Sequence, residues 1–244
     1  MYIDIIIPCK DPSHELISTI NSILKVNQIK NILVIDDFSE KGTDIFQKVS
    51  KLEKVKIKKN IFQKGISGAL NSGIHFSKNE LIGRIDSGDI CLKAERYEKI
   101  IEIFNQNKKI DLVCSGLIEE SNKIIIPKIY LLKNTLTPFS RIPHPTWVLK
   151  KNKIKYKYRN ECYRFEDYAF LLDNKFNIYI LNQNDIKYEN NSRLNRITEI
   201  KVSYFKTNYF IRKSKNKFSA FCLGLLYICL RIIRLLISSK KIVL

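Results

Sequence analysis

The sequence predicts an α/β fold, with a mostly parallel central sheet flanked by helices and a helical tail at the C-terminus. Short apolar runs alternate with segments whose apolar residues recur at helical spacing, which is the pattern of β-α-β units. The first run ends at Pro8, the second at Asp36 and the fourth at Asp86. With 244 residues, 45% of them hydrophobic, the chain can form one large domain or two small ones.

Each predicted element follows from one of these two patterns. The apolar runs predict strands, and the first ones are apolar on both faces, as in a buried parallel sheet. They cover residues 3–7, 31–35, 54–57, 81–85, 111–114, 146–149 and 177–181. Helical spacing predicts helices over residues 13–24, 43–49, 65–74, 94–104 and 166–173.

Proline and charge divide the chain. Four of the six prolines lie between Pro127 and Pro145, which predicts a boundary there. We expect residues 1–115 to form a nucleotide-binding half, residues 116–192 a second half of the same domain, and residues 193–244 a basic, apolar tail. The net charge is +19, and the tail carries twelve Lys or Arg residues against one acid, Glu199. Phosphate-bearing partners explain such a charge, although a lysine-rich composition alone would also produce it.

The tail contains an uncharged run, residues 218–230, followed by Arg231 and Arg234 on one helical face. A bilayer-spanning helix needs about 20 apolar residues, so this run is too short to span. We expect a helix lying in the membrane interface, with packing on the domain as the alternative. Asp4 interrupts the first apolar run and no basic segment precedes it, so we expect no secretory signal and a cytoplasmic protein.

Acidic residues follow two of the predicted strands. Asp36 and Asp37 can accept hydrogen bonds from a ribose or a base, or cap the next helix. Asp86 and Asp89 repel each other unless a cation lies between them, which suits Mg²⁺ or Mn²⁺. A solvated turn is the other interpretation of this second pair.

Further candidates lie in the second half. Glu166 and Asp167 open a predicted helix, where a carboxylate can act as a general base or be an ordinary first-turn acid. His144, on the strand predicted to begin this half, can contact a phosphate or be structural. The sequence lacks the P-loop motif, and no G-x-G-x-x-G follows the first strand, which leaves a nicotinamide dehydrogenase poorly supported. Six scattered cysteines predict free thiols.

Six short stretches together resemble the family 2 glycosyltransferases with the GT-A fold. The stretches are I-I-I-P at 5–8, L-V-I-D-D-F-S at 33–39, K-G-I-S-G-A-L-N-S-G at 64–73, I-G-R-I-D-S-G-D-I at 82–90, I-P-H-P-T at 142–146 and F-E-D-Y at 165–168. They occur in the family's order at plausible spacing, over roughly residues 3–175. No single motif is specific, and the ordered set carries the resemblance.

The resemblance implies a role for each matching residue. Donor-binding residues would be Pro8, Asp36, Asp37, Lys64, Asn71, Arg84 and Asp86. Asp86 and Asp89 would hold a divalent cation, Mn²⁺ or Mg²⁺. His144 would contact the acceptor or a phosphate, and Asp167 would be the general base, oriented by Glu166. The family's usual metal motif is D-x-D-D, whereas Gly88 occupies the third position here. Either Asp89 takes over coordination, or Asp86 acts alone with the phosphates and water.

The implied reaction is inverting transfer of a hexosyl or N-acetylhexosaminyl group from a UDP- or dTDP-sugar to an acceptor hydroxyl. Family members of this type often extend lipid-linked polysaccharides such as lipopolysaccharide or capsule. The tail would then hold the enzyme on the anionic inner face of the cell membrane, where lipid-linked acceptors reside. Nucleic acid is not an expected partner of this enzyme.

Three other functions are weighed against this one. A nucleotidyltransferase would need a glycine-rich basic loop after the first strand, and residues 8–13 contain no glycine. A nucleic-acid-binding protein would account for the charge, with Tyr156, Tyr158, Tyr163 and nearby basic residues as a weak signal. A catalytically inactive adaptor that keeps the fold is suggested by Gly88.

Overall fold

A computed structural model describes residues 1–189 and 195–240 of the chain, with side chains described as far as residue 235. Of the tail predicted from residue 193, residues 193, 194 and 241–244 lie outside the described residues. The strands are β1 Ile3–Cys9, β2 Ile29–Asp36, β3 Val55–Lys59, β4 Leu81–Arg84, β5 Ile90–Cys91, β6 Leu112–Glu119, β7 Ile124–Ile125, β8 Leu131–Leu132, β9 Thr135–Leu136, β10 Val148–Lys150 and β11 Ile178–Tyr188. The helices are α1 His14–Leu24, α2 Thr43–Val49, α3 Ile66–Phe76, α4 Arg96–Gln106, α5 Glu166–Asn174, α6 Arg196–Lys213 and α7 Lys217–Lys240.

One twisted sheet organises the described chain, in the order β3-β2-β1-β4-β10-β6-β11-β5, with β7 beside β6. The β3-β2-β1-β4 portion is parallel, as the alternation of strands and helices predicts. β10 comes from the second half of the sequence and pairs antiparallel with both β4 and β6. Both halves of the sequence therefore contribute strands to the same sheet, and the α/β prediction is confirmed.

Apolar side chains on alternate faces of β1 build two cores. Ile5 and Ile7 belong to a cluster with residues of α1, α2 and α4, and Ile6 belongs to a cluster with residues of α3 and α5. All three side chains are buried. Burial on both faces explains why this strand is a continuous apolar run.

A buried acid fastens β1 to the end of α3. The Asp4 carboxylate accepts hydrogen bonds from the Ser77 hydroxyl at 2.8 Å, the Lys78 backbone at 2.7 Å and both the backbone and side chain of Asn79. Burial raises the pKa of Asp4, but these bonds together with that from Asn31 outweigh it and hold the pKa below its usual value. The residue that interrupts the first apolar run is thus a structural anchor.

The two tail helices pack on the domain and on each other. Asp173 of α5 accepts a hydrogen bond from Tyr209 of α6 at 2.7 Å and pairs with Lys213 at 2.6 Å. Gly224 of α7 lies so close to α6 that an added Cβ would stand 2.4 Å from Thr207. The other face of α7 is exposed.

Helix α7 is longer than its uncharged core. Residues 217–235 meet the length and composition of a membrane-crossing helix, because the helix continues through both arginines of the sequence pattern. The estimate that this segment is too short to span is therefore wrong by length. One side of the helix is packed on α6, as the alternative interpretation of the tail expects, and the other side is exposed. A position in the membrane interface stays a prediction.

Candidate active site

The carboxyl ends of β1, β2 and β4 meet at one edge of the sheet. In the parallel register Cys9 lies opposite Asp36, and Ile6 lies opposite Arg84. Pro8, directly before Cys9, and the loop that follows Arg84 therefore reach the same crevice. This is the edge at which open α/β sheets bind ligands.

The two acids at the end of β2 have different surroundings. Asp37 is buried, and its carboxylate accepts hydrogen bonds from the backbone N–H of Gly65 at 2.9 and 3.0 Å and from the Asn60 side chain at 2.7 Å. It ties β2 to the start of α3. Asp36 is half-buried and accepts a backbone N–H three residues further on, at 2.9 Å. Neither acid caps the next helix, because Gly42 occupies the N-cap of α2.

The other two residues of the predicted donor segment differ in exposure. Lys64 is exposed, directly before Gly65, whose φ of 117° turns the chain into α3. Asn71 is buried in that helix, and its amide both donates to the carbonyl and accepts from the N–H of Tyr158, each at 2.9 Å. Asn71 therefore positions the loop that carries Tyr158.

Arg84 joins several predicted site residues into one cluster. Its guanidinium grips Asp86 with two bonds, Nε to Oδ1 at 2.6 Å and Nη2 to Oδ2 at 2.8 Å. Nη1 contacts the ring of His144, whose Nε2 lies 2.8 Å from the hydroxyl of Tyr158. Burial and the Arg84 charge hold the pKa of His144 well below its ordinary value, so the imidazole is neutral. The ring also packs on Trp147, with centroids 4.2 Å apart.

The sequence predicted that His144 lies on a strand, and this prediction is wrong. It begins a short 3₁₀ turn, His144–Thr146, and β10 starts only at Val148. The prolines on both sides of His144 cannot donate to a sheet ladder, which favours the turn. Thr146 fixes the turn: its hydroxyl donates to the Pro143 carbonyl at 2.8 Å, and its own carbonyl accepts from the buried guanidinium of Arg96 at 2.8 Å.

Glu166 and Asp167 occupy the first turn of α5, as predicted. Asp167 is half-buried, and Oδ1 accepts the backbone N–H of Tyr168 at 2.7 Å. Burial and the neighbouring charge of Asp167 raise the pKa of Glu166 to about 7, and Arg84 acts against this rise. Glu166 Oε2 is buried, without a hydrogen-bond partner among the described atoms. Glu166 therefore lies close enough to the Arg84–Asp86 pair to interact with both of its charges.

The turn after β4 orients its two acids differently. Asp89 is 1% exposed, and its carboxylate accepts the backbone N–H groups of Asp86 at 3.4 Å and Glu189 at 3.2 Å. Burial, and then the Asp86 charge, raises the pKa of Asp89 to about 8. The backbone N–H of Asp89 donates to the Asp86 carbonyl at 3.0 Å, and Gly88 between them has a φ of 104°. A positive φ at the third position of a turn favours glycine.

This geometry decides how a cation can be held. The described part of the chain contains no group of three His, Cys, Asp or Glu side chains that could form a metal cage. Asp86 is the more exposed acid, and Mg²⁺ is commonly bound through one or two carboxylates plus substrate phosphates. Asp86 fits such a ligand. Arg84 binds both oxygens of Asp86, but 30% of that side chain stays exposed and open to a donor phosphate. Asp89 fits less well, because it is 1% exposed and its raised pKa favours the protonated form.

The structure thus brings together Arg84, Asp86, His144, Glu166 and Asp167, with Pro8 and Asp36 at the same sheet edge. Asp37 and Asn71 lie beneath it as anchors, and Lys64 lies on the surface. Sequence reasoning missed two residues. Around Tyr158 the sequence gives only a weak nucleic-acid signal, and nothing there indicates a contact with Asn71, 87 residues away. Arg96 gives no sequence signal at all.

Comparisons with known proteins agree with this arrangement. The family model described as Glycosyl transferase family 2 matches residues 4–177, which include every predicted site residue. A curated relative, the amylovoran biosynthesis glycosyltransferase AmsE of Erwinia amylovora, is 30% identical over 126 residues, or 48% of this chain. The chain spans 46% of that relative's length, a little under half.

Solved structures share the fold at low sequence identity. S. aureus TarS (residues 1–349) in complex with UDP-GlcNAc has a TM-score of 0.69 at 14% identity, covering 93% of this chain and 72% of that one. The mannosyltransferase PcManGT from Pyrobaculum calidifontis, in complex with GDP-Man and Mn²⁺, has a TM-score of 0.68 at 10% identity, covering 98% and 75%. By its family match and its fold, this chain belongs to glycosyl transferase family 2 and has the GT-A architecture of those glycosyltransferases.

Proposed function

We propose that the protein transfers a hexosyl or N-acetylhexosaminyl group from a UDP- or dTDP-sugar to an acceptor hydroxyl, with inversion at the anomeric carbon. One observation carries the proposal. The Arg84–Asp86 pair at the end of β4 stands within electrostatic reach of Glu166, the residue directly before Asp167 at the start of α5. Transfer needs positive charge beside the donor diphosphate. It also needs a carboxylate base beside the acceptor hydroxyl.

In this mechanism Asp167 removes the acceptor proton. The hydroxyl oxygen attacks the anomeric carbon from the face opposite the nucleotide, a new glycosidic C–O bond forms, and the bond to the diphosphate breaks. The electron pair leaves with the nucleoside diphosphate. Glu166, with its raised pKa, lies beside the base and orients either Asp167 or the acceptor. Arg84 holds Asp86 in a fixed orientation through two parallel bonds.

Asp86 would hold a divalent cation together with the donor phosphates. Such a cation neutralises the charge that develops on the departing diphosphate. The Mn²⁺ in the PcManGT complex supports cation use. In this proposal Asp89 supports the turn from below, so the cation depends on one protein carboxylate and not on the pair.

Cell-surface polysaccharide synthesis is the proposed setting, supported by the amylovoran relative. The exposed apolar face of α7 and the basic residues of the tail support a peripheral position on the inner face of the cell membrane. A lipid-linked glycan, as in lipopolysaccharide or capsule assembly, is the proposed acceptor. In this scheme residues 1–115 bind the donor and residues 116–192 the acceptor.

Nucleotide-dependent thermal stability tests the donor site. UDP, dTDP, GDP and CMP are each added with and without Mn²⁺, since a ligand of the native state raises Tm by mass action. We expect UDP or dTDP to raise Tm and Mn²⁺ to enlarge the shift, with the Mn²⁺-dependent part lost in Asp86→Asn. If no nucleotide shifts Tm, the donor site is refuted. A nucleotide shift without any release of sugar from the donor would favour the inactive adaptor.

A further inference from the structure

A groove of about 710 Å³ runs between helix α7 and the segment 128–141. We call it the α7 groove. Its outer wall is held in place by paired backbone bonds between Lys128 and Arg141, 2.8 Å each. Phe139 on that wall meets Tyr227 of α7 edge to face, with ring centroids 5.2 Å apart. The groove is thus a built feature of the fold, and it lies outside the cluster around Arg84.

The α7 groove is strongly cationic. The described residues that line it include no acid and five bases, Lys128, Arg141, Lys206, Arg231 and Arg234. Within the described chain, only Arg231 of these five has an ion-pair partner, Glu199 at 2.8 Å. The Nε of Arg231 is also shielded from solvent and without a hydrogen-bond partner among the described atoms. Five bases and no acid among the described lining residues favour an anionic ligand with several oxygens.

The same groove is also apolar and opens onto an apolar surface. Leu223, Tyr227 and Leu230 line it from α7. Leu230 is 48% exposed and belongs as well to the exposed face of that helix, which includes Leu226 and Ile233. An alkyl chain on this face can therefore continue into the groove without crossing a polar surface. A ligand that matches both features has a long apolar chain and a phosphate head.

The groove adjoins the acceptor side of the candidate active site. Lys206 lies over the ring of Tyr168, 4.4 Å from its centroid, and Tyr168 directly follows Asp167. The outer wall ends at Arg141, three residues before His144. The groove and the first turn of α5 are therefore linked through the Lys206–Tyr168 contact.

We infer that the α7 groove binds the diphosphate and the first part of the chain of a long-chain lipid diphosphate, the carrier of the acceptor glycan. This inference rests on the proposed transferase function for the role of the lipid as acceptor, but binding itself does not depend on catalysis. A diphosphate provides more anionic oxygens than a phospholipid phosphodiester, which suits five cations. The occupant is therefore a lipid diphosphate and not the bulk membrane lipid.

Binding of farnesyl diphosphate to the full-length protein tests the inference by calorimetry. Saturating UDP is present to fill the donor site. The groove variant is Lys128→Gln with Arg234→Gln, two exposed side chains whose loss should not affect folding. The control variant, Lys48→Gln with Lys51→Gln, makes the same change in charge on exposed residues of another face. The Tm of each variant, with and without UDP, verifies its fold and its donor site.

We expect the groove variant to bind farnesyl diphosphate at least about tenfold more weakly than the wild type, because two of the five cations that attract the diphosphate are removed. The control variant should bind like the wild type. Farnesol and inorganic pyrophosphate should each bind at least about tenfold more weakly than farnesyl diphosphate, because each lacks one half of the ligand.

Three outcomes would overturn the inference. One is equal affinity of the wild type and the groove variant for farnesyl diphosphate. Another is equal affinity for farnesol, which would make the groove a purely apolar site. The third is equal affinity for dihexanoyl phosphatidylglycerol, which would assign the groove to membrane phospholipid. A normal UDP shift alongside any of these would leave the proposed transferase function standing, whereas lipid binding without a UDP shift would refute that function alone.

Discussion

Arg84 connects the donor side of the site to the acceptor side. Its guanidinium binds Asp86 through two bonds and contacts the neutral His144, which in turn meets Tyr158. A lysine could not make the same contacts, because an ammonium group has no planar fork. The position of Asp86 is therefore set by a network that reaches the loop 156–160, and Asn71 secures that loop from below.

Glu166 should make stability depend on pH. Its pKa of about 7 in the folded protein lies above the ordinary value of 4.5, so the folded state binds the proton more tightly than the unfolded state. The resulting stability is fully present below about pH 4.5 and is lost as the pH rises through about 7. A glutamine at position 166 cannot ionise, so the Glu166→Gln variant does not show this pH-dependent loss of stability.

We therefore expect the Tm of the wild type, relative to that of Glu166→Gln, to fall between pH 5 and pH 8. Scanning calorimetry across this range measures the difference. Glu120→Gln, which changes an exposed acid, serves as the control and should show no such trend. A difference between wild type and Glu166→Gln that stays constant with pH would contradict the assigned environment of Glu166.

At the scale of elements, the turn between β4 and β5 explains the departure from the family's metal motif. Gly88 has a φ of 104°, which L-residues rarely adopt, and an added Cβ would stand 2.2 Å from Glu189 Oε2. We expect Gly88→Ala to lower the free energy of unfolding by about 1–3 kcal/mol through backbone strain. Urea denaturation measures this loss.

Gly65→Ala is the matched control for this turn. Gly65 also has a positive φ, 117°, but an added Cβ would meet nothing within 4 Å. The Glu189 carboxylate is the end of a flexible side chain that can move aside, so we expect Gly88→Ala and Gly65→Ala to lose similar stability, both through backbone strain. If Gly88→Ala is as stable as the wild type, glycine is not required by the turn and the departure has another origin.

Elements that bury an apolar stripe could be predicted from the sequence, and contacts between distant elements could not. The predicted helix 43–49 and strand 81–85 match α2 and β4 to within one residue, because local periodicity determines them. The short strands β5, β7, β8 and β9 carry too few residues to show a period. The position of β10 between β4 and β6 could not be predicted either, since its pairing with β4 joins residues more than 60 positions apart in the sequence.

The candidate site divides in the same way. Asp86 and Asp167 each follow a local signal, a strand end and a helix start, and both lie where those signals predict. The 3₁₀ turn at His144 could not be predicted from its neighbours, because apolar residues beside it resemble a strand. Its actual conformation depends on the buried Arg96 contact with Thr146, 50 residues apart in sequence.

At the scale of the whole molecule, the tail combines anchoring with exposure. Asp173 and the Glu199–Arg231 pair bind the tail helices to the domain and to each other, while large apolar side chains of α7 face outward. Phe218 is 78% exposed. A helix held this way presents its apolar face at a fixed orientation to the domain, which supports the proposed position on a membrane surface.

Replacing this face should release the protein from membranes. Phe218→Gln, Phe221→Gln and Leu225→Gln together remove three exposed side chains, each of which gains about 1.5–3 kcal/mol on full burial in lipid. We expect binding to phosphatidylglycerol vesicles to fall at least about tenfold, measured by co-sedimentation, with Tm unchanged. Ile197→Gln, at an exposed position of α6, is the control. Undiminished vesicle binding by the triple variant would contradict a membrane role for α7.

The central claim is that Asp167 is the general base of the transfer. It is tested most directly by whether Asp167→Asn loses transfer while it keeps donor binding. Release of UDP or dTDP is measured with a panel of nucleotide sugars, and nucleotide affinity is measured by calorimetry. Asp44→Asn, an acid in the first turn of α2, is the matched control. We predict that Asp167→Asn lowers the rate of release by about 10²–10⁴-fold with nucleotide affinity unchanged, as loss of a general base requires. An undiminished rate, or loss of nucleotide binding together with the rate, would contradict the assignment of Asp167 as the base.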